Sequence, residues 1–368
     1  MIHMKILIAP LITAARADAA YLITRTLSDL LSYRQNAVAV STAKASSISS
    51  AALYEAAVLK KPRFAAAGLS SYEEWLYSAG AVSEDYLKKD TECLLNAIDH
   101  FHPDVIIVID RIAGVIAARI RGIPCVPLIS SSMYRNSSFP ARVLLGTNRA
   151  LSHYGFEQVF RIHRIYDWCI ARAVFGPIQL QPLPMEINAR RFGTVSVIRS
   201  LPEKAEGVYI YFSQLGMKTN VIRKMILDTF EGAPYQIYVR ADGIESEKHG
   251  NIHFLSAMRE DLLARTAVCI HDGNDYICQV CACAAVPQLI ISDHSYGRTA
   301  NALAARRYGF GLLADEDDLS VASLYENYRR LISDSRIQEG AEAIRDEIIS
   351  LGDFEDFYRF LDSIVRAR

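Results

Sequence analysis

Residues 267–301 read AVCIHDGNDYICQVCACAAVPQLIISDHSYGRTAN. Ala267–Ile270 is a short apolar run suited to a buried strand, and His271, Asp272 and Gly273 form a turn. Asp275–Ala285 has the length and the small side chains of a helix packed against a sheet. Val286–Ile291 is a second strand, entered through Pro287. Strand, helix and strand in this order imply a parallel sheet. In such a sheet ligands bind where strands end and helices begin, because free backbone N–H groups and the helix dipole favour an anion there. Residues 271–277 are therefore the expected anion-binding turn.

The same alternation extends in both directions. Lys5–Leu11 reads as a buried strand, Arg16–Leu31 as an amphipathic helix and Ala37–Val40 as a second strand. Ser71 is placed to cap a helix that carries Glu73 and Glu74 in its first turn. Asp85–Phe101 is helical, Pro103–Asp110 is a strand ending in a carboxylate, and the helix of residues 113–124 stops at Gly122 before the strand Cys125–Ile129. Short strands are expected at Ala173–Phe175 and Thr194–Ile198. The polar stretch Ser200–Gly207 reads as an interdomain linker. Val208–Phe212 then opens a second α/β unit, with a helix at Thr219–Phe230, strands at Tyr235–Val239 and Ile252–Leu255, and a short helix at Met258–Leu263. The terminal region Leu319–Arg368 is helical, and Phe354, Phe357, Phe360 and Leu361 give it an apolar face. The predicted fold class is α/β with two Rossmann-like domains, residues 1–200 and 201–350, followed by a closing helix at 351–368.

A chain of 368 residues has material for two cores. Its hydrophobic content of 51%, charged content of 22% and net charge of −1 exclude a disordered chain, and no basic stripe points to nucleic acid. The most apolar run, Val105–Ile129, is broken by Asp110, Arg111, Arg119, Arg121 and Pro124, so no transmembrane segment is expected. Residues 1–5 run directly into a strand without a basic, apolar leader pattern, so a cytoplasmic location is expected. Seven cysteines without framework spacing fit reduced thiols. Cys278, Cys281 and Cys283 fall within one predicted helix, where buried thiols are expected and a metal site is not.

The order His-x-Gly, a helix of small residues, Val286-Pro287-Gln288, a second loop and Asn301 resembles the donor-binding region of GT-B nucleotide-sugar glycosyltransferases. The closest likeness is to the bacterial macrolide-type and UDP-glycosyltransferase group. In the first half, the Pro-Asp strand ending in Asp110 and the run Ala117-Ala118-Arg119 leading to Gly122-Ile123-Pro124 are similar to the same group. The resemblance implies two domains facing across a cleft and a last helix that crosses back to the first. It also implies transfer of a sugar, with inversion, from a nucleotide-sugar donor to a small-molecule, natural-product-like acceptor. No cofactor is implied beyond the donor. Association as a homodimer or with an auxiliary enzyme stays open.

The polar chemistry departs from the family pattern. The family's Gly-Gly-x-Gly-Thr turn is Asp272-Gly273-Asn274-Asp275-Tyr276, with only Gly273 left for close backbone approach. Asp272 and Asp275 add charge that at about 4 Å opposes a diphosphate by roughly 1–4 kcal/mol each. As holders of a bridging divalent cation they are a weak signal. His271 keeps the family position and is either a phosphate donor or a satisfied strand-end histidine. Gln279 replaces the ribose-binding glutamate, and Ser213 and Gln214 occupy the turn that faces donor and acceptor. His294 and Arg298 stand near the family's sugar-binding Asp-Gln, where Arg298 suits an acidic sugar or a phosphate. The loop that carries the family's catalytic histidine has none, which leaves Asp18 and Asp110 as candidate bases. Asp110 also reads as a helix cap. These departures make a non-catalytic, glycosyltransferase-like partner of an active enzyme the alternative reading, second to transfer.

Overall fold

The computed structural model describes residues 3–13, 19–43, 48–60, 71–134, 140–195, 207–213, 216–293 and 295–367. Contacts divide the chain into two units. The first is Met1–Phe175, Gln181–Val195 and Gly352–Arg368; the second is Gly176–Leu180 and Ser196–Leu351. The expected linker at 200–207 lies almost wholly outside the described residues.

The first unit holds β1 (Lys5–Pro10), α1 (Ala19–Tyr33), β2 (Ala37–Ser41), β3 (Ala52–Tyr54), α2 (Tyr72–Ala79), α3 (Glu84–Phe101) and β4 (Val105–Ile109). It continues through α4 (Ile112–Arg121), β5 (Cys125–Leu128), α5 (Pro140–His153), β6 (Ala173–Phe175) and β7 (Arg190–Phe192). Its sheet runs β3-β2-β1-β4-β5-β6-β7 with every pair parallel. All five residues of β4, VIIVI, are buried, as expected of a strand covered on both faces. Gly114 lets α4 lie close to the sheet: a Cβ there would meet Val108 Cγ2 at 2.8 Å. Gly122 ends α4 in the left-handed region, and the Ser71 side chain caps α2 through the Glu74 N–H at 3.3 Å.

The second unit holds β8 (Val208–Phe212), α6 (Thr219–Phe230), β9 (Ile237–Ala241), β10 (Glu247–His249), β11 (Ile252–Phe254) and α7 (Glu260–Leu263). Then come β12 (Val268–His271), α8 (Asp275–Cys283), β13 (Gln288–Ser292), α9 (Tyr296–Arg307), β14 (Gly311–Asp315), α10 (Val321–Ser333) and α11 (Ser335–Ser350). Its sheet runs β10-β11-β9-β8-β12-β13-β14. Only the short edge strand β10 is antiparallel. In each unit the strand order reverses direction beside the first strand, between β1 and β4 and again between β8 and β12. Loops leaving the carboxyl ends of those strands flank the crevice where open α/β sheets take ligands.

The chain closes with α12 (Phe354–Arg366), which belongs to the first unit. Asp353 and Asp356 form a reciprocal cap at its start. Phe354, Phe357, Phe360 and Leu361 are all buried, and the Phe357 ring lies 5.1 Å from Phe175 and 5.2 Å from Phe192. Arg34 pairs with Glu355, and the Tyr358 hydroxyl donates to Asn36 Oδ1 at 3.4 Å. None of the described helices is long and apolar enough to cross a membrane.

Candidate functional site

Ser213 follows β8, Asp272 follows β12, and the loop after β13 leads into α9, which carries Arg298 and Asn301. These segments meet at the reversal point of the second sheet. Asp272 is fully buried, and its Oδ2 accepts the Ser213 N–H at 2.6 Å and the Ser213 Oγ–H at 2.7 Å. Arg298 stands over the same oxygen: its Nη1 is 3.4 Å from Asp272 Oδ2 and donates to Asp293 Oδ2 at 3.1 Å. Its Nη2 donates to Ser213 Oγ at 3.1 Å. Three donors thus surround one carboxylate.

The turn is held to α9 by Gly273. This residue has φ +78°, and a Cβ on it would come 2.9 Å from Arg298 Cβ and 3.0 Å from the Arg298 backbone. The glycine is spent on helix contact, and that contact brings Arg298 over Asp272. Asn301 braces the turn one helical step further on, donating to the Gly273 carbonyl at 2.9 Å and to the Asp275 carboxylate. Asn274 caps α8, its Oδ1 accepting the N–H groups of Tyr276 at 3.0 Å and Ile277 at 3.4 Å. Two of the N–H groups expected to receive an anion at this helix start are therefore occupied by the cap. Burial raises the Asp275 carboxyl above the ordinary carboxylate range, against the donation from Asn301 and the charge of Arg298.

His271 is buried with both ring nitrogens engaged. Nδ1 accepts the Gly273 N–H at 3.1 Å, so the proton resides on Nε2, which donates to Gln288 Oε1 at 2.9 Å. Gln288 in turn donates to the Cys278 carbonyl at 3.3 Å. The histidine and the glutamine of the recognised pattern thus tie β12, β13 and α8 together. Cys269, His271 and Cys281 place their ligand atoms within 4.8 Å of one another. The single lone pair of this tautomer is already taken by Gly273, and burial holds the Cys281 thiol well above its ordinary range. That arrangement fits packed thiols better than a metal centre.

Burial lowers the His271 pKa from 6.5 to about 4, with the Gln288 bond and the Asp272 charge opposing the shift. The unfolded chain takes up a proton below pH 6.5 that the folded chain refuses until about pH 4. This contribution to stability is complete above pH 6.5 and is lost as the pH falls towards 4, to a total of about 3 kcal/mol. Asp275, with its raised pKa, works in the opposite direction on acidification. Urea unfolding between pH 7 and pH 4 isolates the histidine when the chain is compared with His271→Gln, for which a shallower decline is expected. Equal slopes would remove the titration from His271.

In the first unit Asp110 directly follows the central strand β4 at that sheet's reversal point, with φ +58°. The helix cap position is taken by Arg111, which makes no side-chain cap bond, so Asp110 is not the cap of α4. The Tyr72 hydroxyl donates to the Asp110 carbonyl at 3.4 Å and lies 2.8 Å from the Tyr166 hydroxyl. Burial keeps both phenols protonated, and the charge of Asp110 adds to that effect. Arg111 is buried in a two-pronged pair with Asp90, at 2.7 Å for each prong, and also donates to Ser41. Asp18, Gln214 and His294 lie outside the described residues.

The chain has the GT-B fold. Its structure is similar to the kitacinnamycin glycosyltransferase (TM-score 0.73, 16% identity, covering 99% of this chain and 98% of that one). It is also similar to CalG4, the calicheamicin glycosyltransferase (TM-score 0.71, 17% identity, 99% of each chain). The spinosyn rhamnosyltransferase SpnG, solved with thymidine diphosphate, matches at TM-score 0.70 and 13% identity over 98% of this chain and 100% of that one. No family model and no curated protein sequence matches the chain.

On this GT-B framework the structure brings together Ser213, Asp272, Gly273, Asn274, Asp275 and Arg298 around one turn, and directs His271 into the core. Gln279 lies on α8, 6% exposed, and its Oε1 has no hydrogen-bond partner among the described residues. Tyr72, Tyr166 and the Asp90–Arg111 pair were not signalled by the sequence. Their partners lie 94 and 21 positions apart, and no local pattern announces them.

Proposed function

We propose that the protein transfers a sugar from a nucleotide-sugar donor to a small-molecule, natural-product-like acceptor with inversion. In this reading the unit that includes residues 201–350 takes the donor, residues 1–200 take the acceptor, and 351–368 complete the acceptor unit. The observation that carries it is Gln279, a buried amide whose acceptor oxygen is left over by the fold, on the helix and at the position that the family resemblance gives to ribose recognition. Ser213 and Arg298 supply donors for the departing diphosphate. Arg298 provides the positive charge there, so no divalent cation is needed. Thymidine diphosphate is the first nucleotide to test, since the solved neighbour SpnG holds it.

In the reaction the acceptor oxygen attacks the anomeric carbon, the bond from that carbon to the phosphate oxygen breaks, and the nucleoside diphosphate leaves. The acceptor proton passes to Asp110, whose place at the reversal point of the first sheet supports this role. Calorimetric titration with TDP, UDP and GDP is expected to give saturable binding of one of them, unaffected by EDTA. Gln279→Leu should weaken that binding about five- to tenfold, the loss of one hydrogen bond. If none binds at millimolar concentration, the second reading gains: a glycosyltransferase-like partner of an active enzyme, which the engagement of Ser213 and Arg298 by Asp272 favours.

A further inference from the structure

The chemistry around Asp272 is that of a phosphate site. A backbone N–H, a hydroxyl and a guanidinium converge on one oxygen, and two of these donors come from Ser213 at the reversal point of the sheet. The group they hold is the protein's own carboxylate. It is fully buried, and it ends the strand next to the one that Ser213 ends, so it reaches the donors without any rearrangement of the backbone. A carboxylate oxygen and a phosphate oxygen carry similar charge and accept the same bonds. The tethered one is present at a fixed high local concentration.

We propose that Asp272 is an internal anion seated in the donor's diphosphate site, so that the native chain binds a nucleoside diphosphate only by displacing its own side chain. This rests on the donor-site reading above. Arg298 is then a latent phosphate ligand, held ready by its bonds to Ser213 and Asp293 and by the contact of its backbone with Gly273. Asp275 does not share the role. Its carboxylate accepts from Asn301.

The test is calorimetric titration of the wild type, Asp272→Asn and Asp272→Gly with TDP, UDP and inorganic pyrophosphate, with thermal melts to establish that each variant is folded. Asp272→Asn keeps the shape and an acceptor for the Ser213 N–H while removing the charge, so it reports even if Asp272→Gly fails to fold. The expected order of affinity is Asp272→Gly, then Asp272→Asn, then wild type, with at least a tenfold gain for the glycine variant. Adding Ser213→Ala to that variant should reverse the gain. A silent wild type beside a variant that binds TDP or UDP supports the internal anion and turns the native chain into a non-catalytic partner. A variant that gains pyrophosphate but no nucleotide supports the internal anion and overturns the nucleotide reading. Wild type and variants binding TDP with equal affinity overturn the internal anion and leave the donor reading standing. No binding of any probe by any form overturns both.

Discussion

Asp90→Ala is expected to destabilise the first unit by about 3–5 kcal/mol, because it leaves the Arg111 guanidinium buried without its counter-charge. Asp90 and Arg111 have side chains only 0% and 1% exposed, and their two parallel bonds use Nε and Nη2 of the arginine and both carboxylate oxygens. Asp90 Oδ1 also accepts the Ala57 N–H at 3.0 Å, and Arg111 reaches the end of β2 through Ser41. One pair thereby joins α3, the end of β2, the segment at Ala57 and the turn from β4 into α4. The cost of the substitution is that of an abandoned charge and does not measure the worth of the pair. The double variant Asp90→Leu, Arg111→Met, which removes both charges and retains volume, should therefore recover most of the loss. Both tryptophans of the chain, Trp75 and Trp168, lie in the first unit, so their fluorescence during urea unfolding reads that unit directly. A loss below 1 kcal/mol in the single variant would mean that the arginine escapes to solvent. Because Arg111 adjoins Asp110, the same variant should also disturb the proton-accepting role proposed for Asp110.

Much of the framework was legible where a local rule and the tertiary environment agree. The span Thr219–Phe230, the stop at Gly122 and the cap at Ser71 each depend on residues within one turn of one another. The sheet edges were not legible. β3 has the sequence Ala-Leu-Tyr with two exposed residues, and β10 has Glu-Lys-His, neither showing the buried alternation of an inner strand. The strand expected at Thr194–Ile198 lies largely outside the described residues, and β7 at Arg190–Phe192 comes before it without a sequence signal. There Arg191 donates to the Gln181 carbonyl, Arg190 lies over the Phe192 and Phe360 rings, and Phe192 meets the rings of α12, a partner more than 150 positions later. At the site, residue identity was readable and direction was not. Gly273 marks a turn that needs freedom, yet it faces Arg298 so closely that no side chain would fit there. Arg298 suits an anion as its sequence position suggested, and the anions it meets in the structure are the carboxylates of Asp272 and Asp293. His271 and Gln288 stand 17 positions apart and satisfy each other, a pairing set by the register of β12 beside β13.

Phe357→Ala should cost the first unit about 3–5 kcal/mol, the range for emptying a fully buried aromatic site. Phe357 is 0% exposed and sits at the centre of a ring cluster: Phe175 and Phe192 meet it edge-on at 5.1 and 5.2 Å, and Phe360 lies 6.3 Å away along the same helix. These contacts join α12 to β6 and β7, the short outer strands of the first sheet. Such strands have few ladder bonds of their own, so the helix carries much of their retention. The reciprocal cap at Asp353 and Asp356 fixes where the helix begins, and the Arg34–Glu355 pair is partly exposed and adds little. Phe357→Leu keeps most of the volume and should cost no more than about 1.5 kcal/mol. The comparison separates filling the site from merely having a helix there. Chains carrying alanine, leucine and the native phenylalanine should therefore unfold at clearly ordered urea midpoints when followed by tryptophan fluorescence. A penalty for alanine no larger than that for leucine would show that β6 and β7 hold without the cluster. The closing helix would then be an appendage to the first unit and not part of its core.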